Sequence, residues 1–429
     1  MTEIIKILLV LPVFLLFLVS PINVLERSKS EIKSNYLIYN LGINLNTLFC
    51  FSFINLSIID YQNFYFLYLI IFLFYNYTNL KKISDLIKNK KFILIIFFIT
   101  FFILSLNIAS NLNLGWDAKY FYFIKNLYFF EGFGLNELSS FEHNKWHPYF
   151  GSYLWSFFWT ISFFDFEYIG RLFYLFVFCF ALYSISGSIF KNNLSKIFIY
   201  LILLLTLFNY ERFSGLQEIL IFSFLIIISK IIFEFQNDNK NINFLILLLF
   251  SNLILWVKAE GIVYILIILA ITLVNYQNTF RHKLIFLASI LSIILFKYLI
   301  YNYYNFEFNA QPYKLNIIFL EWNYLFYKLQ NIIIYLGYYS LKNPIFLFGI
   351  LIAIWINFKL KNKSIIYSYN VYLLLNLSFI FCAYLFRDLE VVYSLKTTLE
   401  RIVFTSSAFY IYLVLYFINN LLKIKKWNI

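Results

Sequence analysis

KFILIIFFITFFILSLNIAS, from Lys91 to Ser110, carries one charge at its first residue and afterwards only apolar, hydroxyl and amide side chains. A helix needs about 20 mostly apolar residues to cross the hydrocarbon core of a bilayer, and this stretch has that length. It reads as a membrane span. Comparable runs begin near Ile4, Tyr36, Phe64, Tyr168, Ile197, Gly215, Phe244, Ile262, Leu284, Pro344, Ile366 and Val403. Together they predict about thirteen spans. The whole chain agrees: 62% of its 429 residues are hydrophobic and 13% are charged, where soluble domains carry roughly 45–50% and about 25%. Disordered, collagen-like and disulfide-scaffold classes are excluded, and the expected fold class is an all-α polytopic membrane protein.

The formal charge of +13 would suggest nucleic acid in a soluble protein. Here the Lys and Arg residues sit in short clusters between apolar runs, as the positive-inside bias requires, so no nucleic-acid partner is expected. The clusters are Arg27/Lys29/Lys33, Lys81 to Lys91, Lys191/Lys196, Lys230/Lys240, Arg281/Lys283, Lys359/Lys361/Lys363 and Lys423/Lys425/Lys426. Placing them in the cytoplasm requires that the stretches Tyr149 to Phe164 and Tyr324 to Tyr339 lie along the outer interface or re-enter. Their Trp and Tyr content suits that. Ile4 to Ser20 resembles a signal-peptide core, but Ser20-Pro21-Ile22 is not a small-x-small cleavage site, so an uncleaved span is expected. Phe (56) and Tyr (37) have A/T-rich codons, and no single aromatic is read as functional. Cys50, Cys179 and Cys382 lie in apolar runs without a CxxC and read as packing residues.

This topology puts Ser110 to Tyr149, Asn302 to Asn343 and Arg387 to Arg401 outside, with shorter outer turns at Asn209 to Gly215 and Lys258 to Gly261. Most carboxylates then face outward. The first outer loop, roughly forty residues, exceeds the length at which connections are ordinarily structureless. It opens Gly115-Trp116-Asp117-Ala118-Lys119-Tyr120 and closes Glu142-His143-Asn144-Lys145-Trp146-His147-Pro148-Tyr149. Asp117 is either a general base at the membrane boundary or the N-cap of a helix starting at Ala118. His143 and His147 lack the HExxH spacing on one helix, so a zinc site is disfavoured. Glu218 falls one turn inside a span, an expensive place for a carboxylate. Its bland reading is a salt bridge to Arg212 or Lys258. Glu211 is a second acid in the same turn, Lys258-Ala259-Glu260-Gly261 sets a cation beside an anion, and Arg401 tops the last span, where it can grip a phosphate or snorkel to headgroups.

Taken in order, these features resemble the GT-C class of polytopic glycosyltransferases, in particular its protein mannosyltransferase and aminoarabinose-transferase groups. The features are an acid just after a span, a long outer loop ending His147-Pro148-Tyr149, a second outer acid, the Lys-x-Glu-Gly turn, and Arg401 at the start of the final span. The resemblance covers roughly Lys91 to Tyr303, with a looser match from Ile366 onward. It divides the chain into N-terminal spans (1–90), a family-like catalytic core (91–303, outer loop 110–149) and a C-terminal membrane region (304–429). It implies inverting transfer of a sugar from a polyprenyl-phosphate donor to an acceptor hydroxyl on a glycan, lipid or protein. The reaction would face the periplasm from the bacterial inner membrane and serve cell-envelope synthesis. Asp117 would be the base, Arg401 and Lys258 the phosphate contacts, and Glu211 or Glu218, with Glu260 and His147 nearby, would orient the acceptor or hold a divalent cation. Membrane lipids are the remaining partners. The alternatives are an O-antigen polymerase or ligase, which would lean on outer arginines, and a lipid or solute carrier, which would need charges at mid-bilayer.

Overall fold

The computed structural model describes residues 2–19, 35–53, 70, 91–140, 147–162, 164, 166–190, 192–234, 240–274, 280–306, 322–359, 363–387 and 389–426. Its elements are all helical. In chain order they are α1 (Thr2–Val19), α2 (Asn35–Phe51), α3 (Lys91–Ser110), a π turn (Ala118–Tyr122) leading into α4 (Phe123–Phe130), α5 (Leu135–Ser140), α6 (Phe150–Ile161), α7 (Tyr168–Ile189) and α8 (Asn193–Leu207). After a 3-10 turn (Tyr210–Phe213) come α9 (Glu218–Glu234), α10 (Lys240–Val257), α11 (Gly261–Val274), α12 (Phe280–Tyr303), α13 (Trp322–Lys342), α14 (Pro344–Lys359) and α15 (Lys363–Leu385). The last helix starts as α16 (Val391–Ser394), passes a π turn (Leu395–Leu399) and continues as α17 (Glu400–Lys426). Helices cover the expected starts except the one near Phe64, which lies outside the described residues.

Four helices are long and apolar enough to cross a membrane: Tyr168–Ile189, Phe280–Tyr303, Ile365–Leu385 and Val391–Asn420, with a fifth if α13 and α14, bent by 107° at Asn343, count as one span. Several long apolar helices of this kind point to an integral membrane protein. The expected count of thirteen is not reached, because helices such as α11, with 14 residues, rise only about 21 Å. On α12 the exposed Leu284, Leu291, Leu295 and Leu299 form a surface that suits lipid.

One hydrophobic core joins residues from Ile7 on α1 to Leu415 on α17. Helices alternate in direction, so that α2, α3, α8, α10 and α15 end, and α7, α9, α11 and α16 begin, at the same end of the bundle. The helix ends carrying Lys196, Lys230, Arg281 and Lys283 are at the other. Amide pairs lock α2 to α10, Asn35 to Asn243 at 3.2 Å and Asn252 to Asn46 at 2.8 Å. A neutral ladder joins the last long helices. Tyr384 Oη meets Thr398 Oγ1 at 2.7 Å, Asn376 Nδ2 donates to Ser406 Oγ at 2.8 Å, and Tyr372 Oη donates to the Ser406 carbonyl at 2.7 Å.

Two short segments depart from or refine the interfacial expectation. α6 does not lie on a lipid interface: its Tyr153, Trp155 and Phe157 are buried and α4 roofs it, with Phe130 stacked on Trp159 at 3.8 Å. The aromatic side chains that suggested a membrane belt are spent on packing. α13, in contrast, lies across the end of the bundle. Lys328 near its start reaches the Leu385 and Arg387 carbonyls, while Tyr339 near its finish reaches the Lys396 carbonyl.

Candidate active site

Three connections meet where α3, α8 and α10 end. The strand of chain before Asp117 is fixed to the turn before α9, with Gly115 N–H donating to the Ser214 carbonyl at 2.9 Å and Tyr210 Oη to the Asn113 carbonyl at 2.9 Å. Arg171, fully buried on α7, anchors that turn. It pairs with Glu167 at 2.6 Å and donates to the Phe213 carbonyl at 3.1 Å. Gly215 is required twice over: its φ is +89°, and a Cβ there would come within 2.7 Å of the Trp155 ring and 2.8 Å of Ala118 Cβ. Gly261 closes the third connection, since a Cβ there would lie 2.1 Å from the Ile254 carbonyl. Lys297 of α12 donates to the Leu255 carbonyl at 2.9 Å, a cation at a helix C-terminus where the macrodipole favours one.

These connections deliver Asp117, Glu218, Lys258, Glu260 and Arg401 to one place. Arg401 Nη1 bridges two carboxylates, Asp117 through Oδ2 and Glu218 through Oε1 at 3.1 Å. The same Glu218 oxygen takes the Lys258 ammonium at 2.8 Å, and Lys258 reaches Glu260 at 3.2 Å. Glu218 is 5% exposed, and among the described residues its Oε2 has no hydrogen-bond partner. Burial works against the Lys258 ammonium, yet Glu218 and Glu260 outweigh it and raise its pKa. Both members of the Asp117–Arg401 pair border a π turn, one beginning at Ala118 and the other closing just before Glu400. Such turns are rare and recur at functional sites.

Asp117 is not a helix cap. Its backbone is already helical and its side chain makes no capping bond; the carboxylate is spent on Arg401. Glu218 takes Lys258 as the sequence allowed, but Arg212 turns instead to the Leu207 carbonyl and the Phe404 ring. Glu211 is exposed on the 3-10 turn, outside the cluster. His147 lies beside the cluster, its ring 4.8 Å from Phe121 and 5.4 Å from Tyr122. Burial, with the charges of Lys125, Lys258 and Arg401, pushes its pKa down to about 2 and keeps it neutral. Glu142 and His143 lie outside the described residues. Among those residues, no group of three or more His, Cys, Asp or Glu is placed to hold a metal ion.

Sequence reasoning passed over Tyr122, Lys125 and Asn126. Tyr122 is 1% exposed, and burial with the charges of Glu218, Glu260 and Asp117 raises its pKa, so it stays a phenol. The available signal was the spacing of Tyr122, Lys125/Asn126 and Phe129, a helical stripe that turns inward with polar residues on it. No protein-family model, curated protein or solved structure matches the chain.

Proposed function

We propose that this chain is a membrane glycosyltransferase of GT-C type, with about thirteen spans, transferring a sugar from a polyprenyl phosphate to an acceptor hydroxyl on the outer side of a bacterial inner membrane. The observation that carries the reading is the convergence on Asp117 of Arg401, from the far end of the chain, together with Glu218 and Lys258. An ion-pair cluster this buried is a poor route to stability, because desolvation offsets most of the attraction. Its value lies in chemistry.

In the proposed reaction the acceptor oxygen attacks the anomeric carbon and the carbon–oxygen bond to phosphate breaks. The acceptor proton passes to the Asp117 carboxylate. The phosphate leaves with the bonding electrons, and its charge is met by Arg401 and Lys258. Glu218 holds both cations in place through Oε1 and offers Oε2 to a hydroxyl. Glu260 steadies Lys258, and the Tyr122 phenol lies against the carboxylates.

The test is transfer of labelled sugar from a synthetic polyprenyl-phosphate donor in proteoliposomes, comparing the native chain with Asp117→Asn at equal expression. Release of polyprenyl phosphate that the substitution abolishes supports enzyme and base together. Release that survives moves the base to Glu218. A folded preparation that releases nothing from any donor removes the reading.

A further inference from the structure

Four lysines are buried among the described residues: Lys125, Lys230, Lys297 and Lys328. Lys297 and Lys328 have an evident physical reason. Each points into carbonyls at the C-terminal end of a helix, α10 and α15 respectively, where a cation is favoured. Lys125 has no such setting. It is 2% exposed, and its ammonium, which has three hydrogens to give, makes its hydrogen bond to the His147 carbonyl, in a loop before Pro148. No carboxylate pairs with it among the described residues. Burial alone drags its pKa to about 7.

The neighbouring residue has the same difficulty. Asn126 is 0% exposed, and neither its amide nitrogen nor its carbonyl oxygen has a partner among the described residues. A buried polar group left this way costs on the order of 1–3 kcal/mol and calls for an explanation. Beside these two lies a recess of about 190 Å³ walled by Lys125, Leu138, His147, Tyr149, Tyr301 and Phe306. Its walls close too tightly to hold a water molecule, so occupancy requires side-chain movement. One wall is cationic and three are aromatic, a combination that fits a charged group carried on a ring with a weakly polar face.

We propose that this recess is a binding site for an anionic sugar, its carboxylate or phosphate on the Lys125 ammonium and its ring against Tyr149, Tyr301 and Phe306, with Asn126 supplying amide hydrogen bonds. The site is separate from the Asp117–Arg401 pair, and Tyr122 and His147 stand between them. It belongs to the chain whatever reaction the ion pairs serve.

The experiment is thermal unfolding of the purified full chain in detergent, with titration of glucuronate, glucose 6-phosphate, glucose and inorganic phosphate. Both acidic sugars are expected to raise the midpoint in the native chain and in Arg401→Gln. Lys125→Met should weaken them about tenfold or more, the loss of one charge-assisted hydrogen bond. Asn126→Asp sets a carboxylate beside the ammonium, so it should fold and show the same loss, which decides the matter if Lys125→Met does not fold. Wild-type affinity in both variants, or loss in Arg401→Gln alone, overturns the site. So does a native chain that neither acidic sugar stabilises. Inorganic phosphate binding as tightly as glucose 6-phosphate would leave the aromatic walls without a role and overturn the assignment to a ring-bearing anion.

Discussion

The last helix meets its neighbours in two different ways. Near its start, Arg401 engages two carboxylates from distant parts of the chain. Little more than a turn further on, Ser406 joins α15 through an amide and a phenol, and its hydroxyl also lies 3.3 Å from Tyr264 Oη. Neutral hydrogen bonds of the second kind are sufficient to hold helices together in an apolar setting, at about 0.6 kcal/mol each. The charged cluster is therefore more than stability demands, and the contrast separates residues kept for reaction from residues kept for assembly.

The largest expected effect lies on the charged side. Asp117→Asn should cut sugar transfer by about 10²–10⁴-fold, the usual worth of a general base, while the unfolding midpoint moves little; retained transfer would erase the division. Glu218→Gln strands two cations against each other and should cost about 3–5 kcal/mol of unfolding free energy. Adding Lys258→Met should recover part of it in a double-mutant cycle.

A smaller effect is a pH slope. His147 titrates at about 2 in the fold against 6.5 for the free side chain. Below 6.5 the unfolded chain therefore takes a proton that the fold refuses. The contribution is complete above pH 6.5 and is lost on acidification by about 1.4 kcal/mol per pH unit. His147→Asn should flatten unfolding curves between pH 6.5 and 4.5, and an unchanged slope would mean that the ring is reached by solvent. The smallest effect belongs to the ladder. Ser406→Ala should cost about 0.6 kcal/mol, at most about 1.7, with transfer intact. Loss of transfer in a fully folded Ser406→Ala would place the ladder with the chemistry.

The helices were legible because long apolar runs leave little choice, and the cluster was legible because charges are scarce in such a chain. What spacing could not supply was depth. Glu211 and Glu218 look alike in sequence, two acids around one glycine, yet Gly215 turns the chain so that one faces solvent and the other enters the core. α6 reads as interfacial by composition, and only α4 packed above it shows why its Trp residues are dry. Lys125 and Asn126 escaped notice because an amphipathic helix invites the assumption that its polar residues face out.

The π turns give the site a property that residue identity alone does not. Each accommodates an additional residue within a helical turn. An in-frame deletion of one codon within 118–122 or 395–399 would let the helix close, turning what lies beyond by about 100° and drawing it in by about 1.5 Å. Asp117 and Arg401 would then face apart with every letter of the cluster still present. A scan by substitution would never expose this dependence, since the register between the two ends of the chain is written in its length.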